Sequence, residues 1–262
     1  LKEDVGNFDL TTQLIVNPES QNTFNLIARE AAVVSGIEVA RLIFQQVDHE
    51  LEFEQFCKDK EKVKNGFKMA TIRGKAAAVL TAERVVLNVL QRMCGIATMT
   101  AKFVEEISHT KAFLVDTRKT TPGLRLIEKH AFHCGGGKNH RFGLDSGVML
   151  KDNHIALIGN IVEAIKLVKD RVPILTKIEV ECDTLAQVKE ALGANADLIM
   201  LDNMSVKEME IAVKLVNGKI PLECSGGVNI SNIRKKAETG VDYISVGKIT
   251  QSADCIDIGL DI

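Results

Sequence analysis

The 262-residue chain can bury a substantial core in one large domain or two smaller ones, and its composition, 45% hydrophobic and 26% charged, is that of a globular protein. A net charge of -2, the absence of Trp and a single Tyr argue against a nucleic-acid partner. We find no secretory signal, no apolar run that could span a bilayer and no CxxC pair among the six cysteines. We therefore expect a cytoplasmic protein with reduced, individually buried thiols and without zinc.

The first hundred residues mix strands and helices without a repeat. Hydrophobic spacing predicts three strands and one helix, the strands at 23–30, 51–57 and 67–73 and the helix at 36–48. A long helix is expected from Thr81, a good N-cap residue, to Ile107, with Gly95 as a candidate break or kink. This pattern predicts an N-terminal α+β sandwich domain, residues 1–108, that includes a connecting helix.

From residue 113 the pattern becomes regular, because short apolar strands alternate with amphipathic helices. Six such strands are predicted, at 113–117, 148–152, 174–181, 197–203, 221–227 and 243–248. The segments Thr184–Gln187 and Ser205–Glu208 fit the capping box that begins a helix. Six successive βα units indicate a parallel sheet, and we favour an open α/β barrel over residues 109–262 to a flat open sheet. The last residues could return to the first domain.

Positive charge is concentrated in residues 116–154, which hold seven Lys or Arg and four His against four acids. Either a pocket for a small polyanion or a solvated basic loop would account for this concentration. Each predicted strand also ends in polar or glycine residues: 117–119, Lys151 and Asn153, Glu181, Asp202 and Asn203, 225–227, and Gly247 and Lys248. Parallel strands open on one face of a barrel, so these groups are expected to converge, which favours the pocket.

The residue types divide this expected site by chemistry. Arg118, His140, Arg141 and Lys151 suit planar carboxylates or phosphates, although His140 could equally be a packed histidine. The glycine turns after the last two strands suit phosphate, or are simply tight turns. Glu181 and Asp202 suit Mg²⁺ or sugar hydroxyls, or are ordinary salt-bridge acids; Glu179 points the same way as Glu181 and could share its role.

Several motifs occur in order and at workable spacing: EDVGNFDLTT, ERVVLNVLQRMCGIAT, DTRKTTPGLR, GGGKNHR, KDNH, EVE, LDNM and SGG. Together they resemble the quinolinate phosphoribosyltransferase family over nearly the whole chain. The resemblance implies an N-terminal α/β domain, a C-terminal open barrel, and a homodimer, possible building block of a hexamer, whose sites are completed across the interface. It also implies transfer of phosphoribosyl from phosphoribosyl pyrophosphate (PRPP) to quinolinate with decarboxylation, a step of NAD biosynthesis that uses Mg²⁺.

The resemblance also implies roles for residues at matching positions. Arg118, His140 and Arg141 would hold the quinolinate carboxylates, and Arg92 would reach the site of the adjacent subunit. The remaining roles would be catalytic or PRPP-binding: Lys119 and Lys151 at carboxylate or pyrophosphate, Glu181 and Asp202 at ribose and Mg²⁺, and Ser225, Gly226, Gly227 and Gly247 at the 5′-phosphate. The chain departs from the family pattern at Asn7–Phe8 and at Gln251, where many members have His, so the role of Gln251 stays open.

Three rival functions remain on sequence alone. The first is a phosphoribosyltransferase for nicotinate or another pyridine acid without decarboxylation. A substrate with one carboxylate would need fewer cations, so the five at Arg92, Arg118, Lys119, Arg141 and Lys151 favour a dicarboxylate. The second rival is a Schiff-base aldolase with Lys151 as the nucleophile. The third is a phosphosugar-binding sensor without catalytic activity.

Overall fold

The structure, a computed structural model, describes residues 1–262 and divides the chain into two compact units. The first unit comprises Leu1–Ala101, Leu126–Gly136 and Ser252–Ile262. The second comprises Lys102–Arg125 and Gly137–Gln251. The chain therefore leaves the first unit twice and returns to it twice, and a single boundary at residue 108 does not describe this division.

The structure contains eleven helices and twelve strands, which we number in chain order. Up to residue 107 they are α1 (Lys2–Val5), α2 (Leu10–Ile15), β1 (Gln21–Ala28), β2 (Ala32–Val33), α3 (Ile37–Val47), β3 (Glu52–Gln55), β4 (Lys62–Val63), β5 (Lys68–Lys75) and α4 (Ala76–Ile107). The others are β6 (Phe113–Val115), α5 (Arg125–Cys134), β7 (Val148–Leu150), α6 (Asp152–Ile158), α7 (Ile161–Lys169), β8 (Ile178–Cys182), α8 (Leu185–Gly193), β9 (Leu198–Asp202), α9 (Val206–Val216), β10 (Leu222–Ser225), α10 (Ile233–Ala237), β11 (Tyr243–Ser245), α11 (Gly247–Ser252) and β12 (Ile258–Asp261).

The first unit is built on an antiparallel sheet of order β12-β1-β5-β3. Alternation along β1 buries Phe24, Leu26 and Ala28, which pack in one core with Phe44 of α3 and Leu90 of α4. Burying each large apolar side chain contributes about 1.5–3 kcal/mol. The outer strand β12 comes from the end of the chain and pairs with β1, a long-range pairing that no local pattern indicates.

Helix α4 differs from its expected form at both of the positions that the sequence singled out. It begins at Ala76, directly after β5, so Thr81 lies inside the helix and its hydroxyl donates to Asp9 Oδ2 (3.2 Å) instead of capping. Gly95 does not break the helix. A Cβ there would lie 2.1 Å from the Asp254 carbonyl oxygen, so glycine allows the last segment of the chain to approach. No helix, α4 included, is both long and apolar enough to cross a membrane.

The second unit confirms the expected open α/β barrel. Its six parallel strands follow the order β6-β11-β10-β9-β8-β7, and the end strands β6 and β7 do not pair with each other. Both predicted capping boxes are present: the side chains of Thr184 and Ser205 accept from the backbone N–H three residues later, at 3.3 Å in each case. Along β8, Glu179 and Glu181 share the face opposite Val180, as the period of two requires.

Candidate active site

A cavity of about 560 Å³ lies at the carboxyl ends of the parallel strands and is lined by the second unit alone. Ten of the predicted site residues line it: Arg118, Lys119, His140, Arg141, Lys151, Glu181, Asp202, Ser225, Gly226 and Gly227. Two others, Gly247 and Arg92, are not among the lining residues. The structure thus brings together residues that lie more than a hundred positions apart in the sequence.

One wall of the cavity, which we call the cationic wall, carries Arg118 and Arg141. The guanidinium of Arg141 donates to the Gly147 carbonyl (3.0 Å) and contacts Met149 Sδ (3.6 Å), which fixes its direction. Burial lowers the pKa of Arg141, and the neighbouring positive charge of Arg118 lowers it further. Two arginines that repel each other in a partly buried wall are stabilised when an anion binds between them.

Arg125 supports this wall from behind. Its guanidinium donates to Thr120 Oγ1 (3.0 Å) and to the carbonyls of Arg118 (3.3 Å) and Phe142 (3.0 Å). These bonds tie the loop after β6 to the loop that carries Arg141. We therefore assign Arg125 a positioning role in this wall.

His140 lies between the cavity and two buried acids. Its backbone N–H donates to the fully buried Asp116 (2.8 Å), and its Nδ1 accepts from the Arg141 N–H (2.8 Å). Its Nε2 lies 3.0 Å from Glu179 Oε2 and 3.4 Å from Glu223 Oε2. Burial alone would lower the pKa of His140, but the contacts with Glu179 and Glu223 outweigh burial and raise the pKa to about 10.

The two acids beneath His140 are unusual for a protein interior. Glu179 is 4% exposed and Glu223 is 1% exposed, and three of their four carboxylate oxygens make no hydrogen bond. Burial raises the pKa of Glu179, and the nearby Glu223 carboxylate adds to that rise. Because desolvating a carboxylate is costly, a positive partner is needed, and the His140 ring is the cation placed to provide it.

The acidic wall lies on neighbouring strands, with Glu181 in β8 and Asp202 at the end of β9. The Lys151 ammonium pairs closely with Glu181 Oε2. Asn203 Nδ2 donates to Asp202 Oδ2 (2.6 Å). Both acids line the cavity, so their oxygens could meet sugar hydroxyls or a divalent cation there.

The loop after β10 presents backbone to the cavity. Gly226 has φ +87° and Gly227 has φ +60°, conformations that side-chain-bearing residues adopt at a cost. A Cβ on Gly226 would lie 2.1 Å from Asn203 Oδ1, whereas a Cβ on Gly227 would meet nothing within 4 Å. Lys236 Nζ donates to the Gly226 carbonyl (3.1 Å) and holds the loop from behind. Such a glycine loop lets an anion approach the backbone closely.

Gly247 does not line the cavity but packs against Lys119, which does. A Cβ on Gly247 would lie 2.7 Å from Lys119 Cδ and 3.2 Å from Thr117 Oγ1. Thr250 Oγ1 donates to the Lys119 carbonyl (2.7 Å) from the same short helix, α11. Gly247 therefore makes room for Lys119, and Gln251 is exposed on the same helix.

Arg92 belongs to the first unit, where it is firmly held. Its Nε and Nη2 lie 3.2 and 2.9 Å from Glu128 Oε1, and its Nη1 donates to the Ala253 carbonyl (3.0 Å). Glu128 is fully buried in α5. The role of Arg92 in an adjacent subunit stays a prediction.

Sequence reasoning missed Glu223, which lines the cavity beside His140. The period of two along β10 could have found it, because Glu223 precedes Ser225 by two residues as Glu179 precedes Glu181. Met149 and Met200 also line the cavity and supply its apolar surface. Their strand positions resemble those of ordinary core residues, so no sequence signal marks them.

Fold and cavity together define a barrel protein whose site suits a small ligand that carries both carboxylate and phosphate groups. Models of the quinolinate phosphoribosyl transferase N-terminal and C-terminal domains match residues 9–94 and 96–261. The chain belongs to the quinolinate phosphoribosyltransferase family.

Individual relatives agree over the whole chain. The chain is 41% identical over 260 residues to a probable nicotinate-nucleotide pyrophosphorylase [carboxylating] of Bacillus subtilis, covering 99% of this chain and 90% of that protein. It is 40% identical to the mitochondrial quinolinate phosphoribosyltransferase [decarboxylating] 2a of Nicotiana tabacum, a match that covers 100% of this chain and 80% of that protein. The crystal structure of NadC from Streptococcus pyogenes has a TM-score of 0.97 and 40% identity, covering 100% of this chain and 92% of that one.

Proposed function

We propose that the chain transfers phosphoribosyl from PRPP to quinolinate and releases pyrophosphate and CO₂, which gives nicotinate mononucleotide for NAD biosynthesis. The observation that carries this proposal is a single cavity with a wall of cations on one side and an acidic wall with a glycine loop on the other. The first wall suits a dicarboxylate and the second suits a phosphorylated sugar. The family and the names of its members support the same reaction.

The cationic wall would bind quinolinate. Arg118 and Arg141 would each pair with a ring carboxylate, because a guanidinium matches a carboxylate with two parallel hydrogen bonds. His140 would complete the pocket. We assign Glu179 and Glu223 the role of holding the His140 ring in place and favouring its charged form. In the charged form Nδ1 also carries a proton, so it would no longer accept from the Arg141 N–H, and the Nδ1–H would instead donate to a bound carboxylate.

The acidic wall and the glycine loop after β10 would bind PRPP. The backbone of Ser225–Gly227 would hold the 5′-phosphate. Lys119 and Lys151 would neutralise the pyrophosphate. Glu181 and Asp202 would accept hydrogen bonds from the ribose hydroxyls.

Glu181 and Asp202 also fit Mg²⁺. Magnesium is commonly held by one or two carboxylates together with substrate phosphates and water, and both acids face the cavity. Bound there, Mg²⁺ would supply positive charge for the pyrophosphate. The pairing of Lys151 with Glu181 places a second positive charge beside the same carboxylate.

The chemistry needs no covalent intermediate with the protein. The quinolinate ring nitrogen forms a bond to ribose C1 while the bond from C1 to pyrophosphate breaks, and positive charge develops on the sugar. Glu181 and Asp202 would stabilise that charge. The bond to the carboxylate beside the ring nitrogen then breaks, the electron pair stays on the ring carbon next to the positive nitrogen, and a solvent proton replaces CO₂.

The decisive assay follows the label from quinolinate that carries ¹⁴C in the carboxylate adjacent to the nitrogen. We expect labelled CO₂ to appear only with PRPP and Mg²⁺ present, in a one-to-one ratio with nicotinate mononucleotide. Nicotinate in place of quinolinate should give no comparable turnover. Product from nicotinate, or no CO₂ from quinolinate, would refute the proposed substrate.

We also propose a homodimer, able to assemble into a hexamer, in which Arg92 of one subunit completes the site of the other. The support is the family to which the chain belongs. Mixing an Arg92→Ala subunit with an Arg118→Ala subunit should restore part of the activity that each variant lacks. No recovery, with subunit exchange demonstrated by mass, would contradict a shared site.

We also propose a cytoplasmic location, which is supported by five buried free thiols.

A further inference from the structure

Outside the cavity, the first unit brings together three side chains that commonly bind metal ions, Asp59, His130 and Cys134. His130 Nε2 lies 2.7 Å from Asp59 Oδ2. Cys134 Sγ lies 3.4 Å from His130 Nε2 and 3.7 Å from Asp59 Oδ2. The proposed reaction uses none of the three.

Local structure aims these atoms at one point. His130 and Cys134 are four residues apart on α5, so they lie on the same face of the helix. Asp59 lies between β3 and β4, and its Oδ1 accepts from the backbone N–H groups of Gly36 and Ile37 at 2.9 and 3.2 Å. Those bonds occupy Oδ1 and leave Oδ2 directed at the other two ligands. Such supporting bonds are typical of carboxylates that bind metals.

The distances suit a tetrahedral ion. With zinc bonds of about 2.0–2.1 Å to N or O and about 2.3 Å to S, tetrahedral geometry separates N from S, and O from S, by roughly 3.5 Å. The contacts of Cys134 with His130 and Asp59, 3.4 and 3.7 Å, lie close to that value. Nitrogen and oxygen should be roughly 3.3 Å apart. The His130 to Asp59 distance must therefore widen by about half an ångström when their shared hydrogen bond gives way to a metal.

We propose that Asp59, His130 and Cys134 form a site for Zn²⁺ or a similar borderline-soft divalent ion, with water as the fourth ligand. The side chain of His130 is 50% exposed, which leaves room for that water and a path for entry. The Asp59 carboxylate and the Cys134 thiolate together balance the charge of the ion. The sequence did not predict zinc, because no CxxC pair is present and Asp59 lies about seventy residues before His130.

Binding exchanges protons for the ion. The Cys134 thiol releases its proton to solvent and its sulfur donates an electron pair to the metal, while His130 keeps its proton on Nδ1 and coordinates through Nε2. Because the thiol must lose its proton to bind the ion, binding should strengthen as pH rises. The occupied site would link the loop of Asp59 to α5, the helix that also carries Glu128.

Cobalt reports thiolate ligation directly, because Co²⁺ replaces Zn²⁺ and a cobalt–thiolate bond absorbs in the near ultraviolet. We would titrate Co²⁺ into the 262-residue chain after dialysis against a chelator. The wild type should develop the charge-transfer band, and Zn²⁺ should remove it by competition. Ions bound at Glu181 and Asp202 have only oxygen ligands from the protein and give no such band, so the cavity does not interfere.

Variants on the same helix make the test specific. Cys134→Ser should abolish the band, and His130→Phe should weaken Co²⁺ binding by at least the roughly 10–100-fold that loss of a supporting residue costs. His133→Phe is the matched control, because His133 Nε2 contacts Lys60 Nζ (3.2 Å) instead, and Cys255→Ser removes the exposed thiol. Both controls should keep the band. No band in the wild type, a band that survives Cys134→Ser, or a band lost with Cys255→Ser would overturn the proposal.

Discussion

The two walls of the cavity suit anions by different means. On the cationic wall, recognition would rest on the charge of long side chains, those of Arg118 and Arg141. On the acidic wall, the loop at Gly226 and Gly227 brings backbone to the cavity, and what matters there is that no Cβ is present. Substitutions that remove charge should therefore impair the cationic wall most. Substitutions that add a Cβ to a glycine should impair the glycine loop most.

Removal of charge should give the largest effect. Arg118→Ala or Arg141→Ala leaves a substrate carboxylate without its partner, which costs about 2–5 kcal/mol, or roughly 30- to 4000-fold in kcat/KM for quinolinate. The free energy of unfolding should stay close to that of the wild type, because these cations repel each other in the empty cavity. Steady-state kinetics and urea denaturation measure the two quantities. Arg171→Ala, at an exposed position of the same unit, is the control, and near-normal kinetics in either site variant would contradict the assignment.

The contrast between the walls also explains what the sequence could predict. Arg118 and Glu181 each lie at the carboxyl end of an apolar strand, so strand pattern and barrel geometry were enough to bring them to one face. Glu223 was missed because its partner His140 lies on a loop more than eighty residues earlier, and only the fold brings them together. The same limit applies to β12, whose pairing with β1 joins the two ends of the chain.

Local signals misled where two elements run together without a break. Helix α4 follows β5 directly at Ala76, and no cap residue separates them, so Thr81 attracted the N-cap assignment instead. Gly95 was read as a candidate helix break, but its reason is the close approach of Asp254, which is far away in sequence. Glycines that serve long-range packing and glycines that end helices look alike in a single sequence.

A pair of glycine variants tests the backbone wall. Gly226→Ala combines left-handed strain of about 1–2 kcal/mol with overpacking against Asn203, and should lower the free energy of unfolding by about 2–4 kcal/mol. Gly227→Ala carries only the strain, about 1–2 kcal/mol, because its Cβ points into open space. Urea denaturation without substrates separates the two. Equal losses in the two variants would show that Asn203 moves aside at no cost, and that its contact with Gly226 does not hold the loop in place.

The pH dependence of stability tests the acids beneath the cationic wall. The pKa of His140 is about 10 in the folded chain against an ordinary 6.5, so the protonated ring stabilises the fold fully below pH 6.5. That contribution is lost as pH rises towards 10. The wild type should therefore lose more of its unfolding free energy than His140→Asn between pH 6.5 and 10.

Subtracting the pH profile of His140→Asn from that of the wild type removes the contributions of all other groups. Glu223→Gln removes one of the two negative charges that raise the His140 pKa, so its stability should fall at a lower pH than that of the wild type. Denaturant titrations at half-unit pH intervals would resolve the shift. An identical pH profile in wild type and Glu223→Gln would mean that Glu179 alone holds the ring, and that the cationic wall does not depend on the second buried acid.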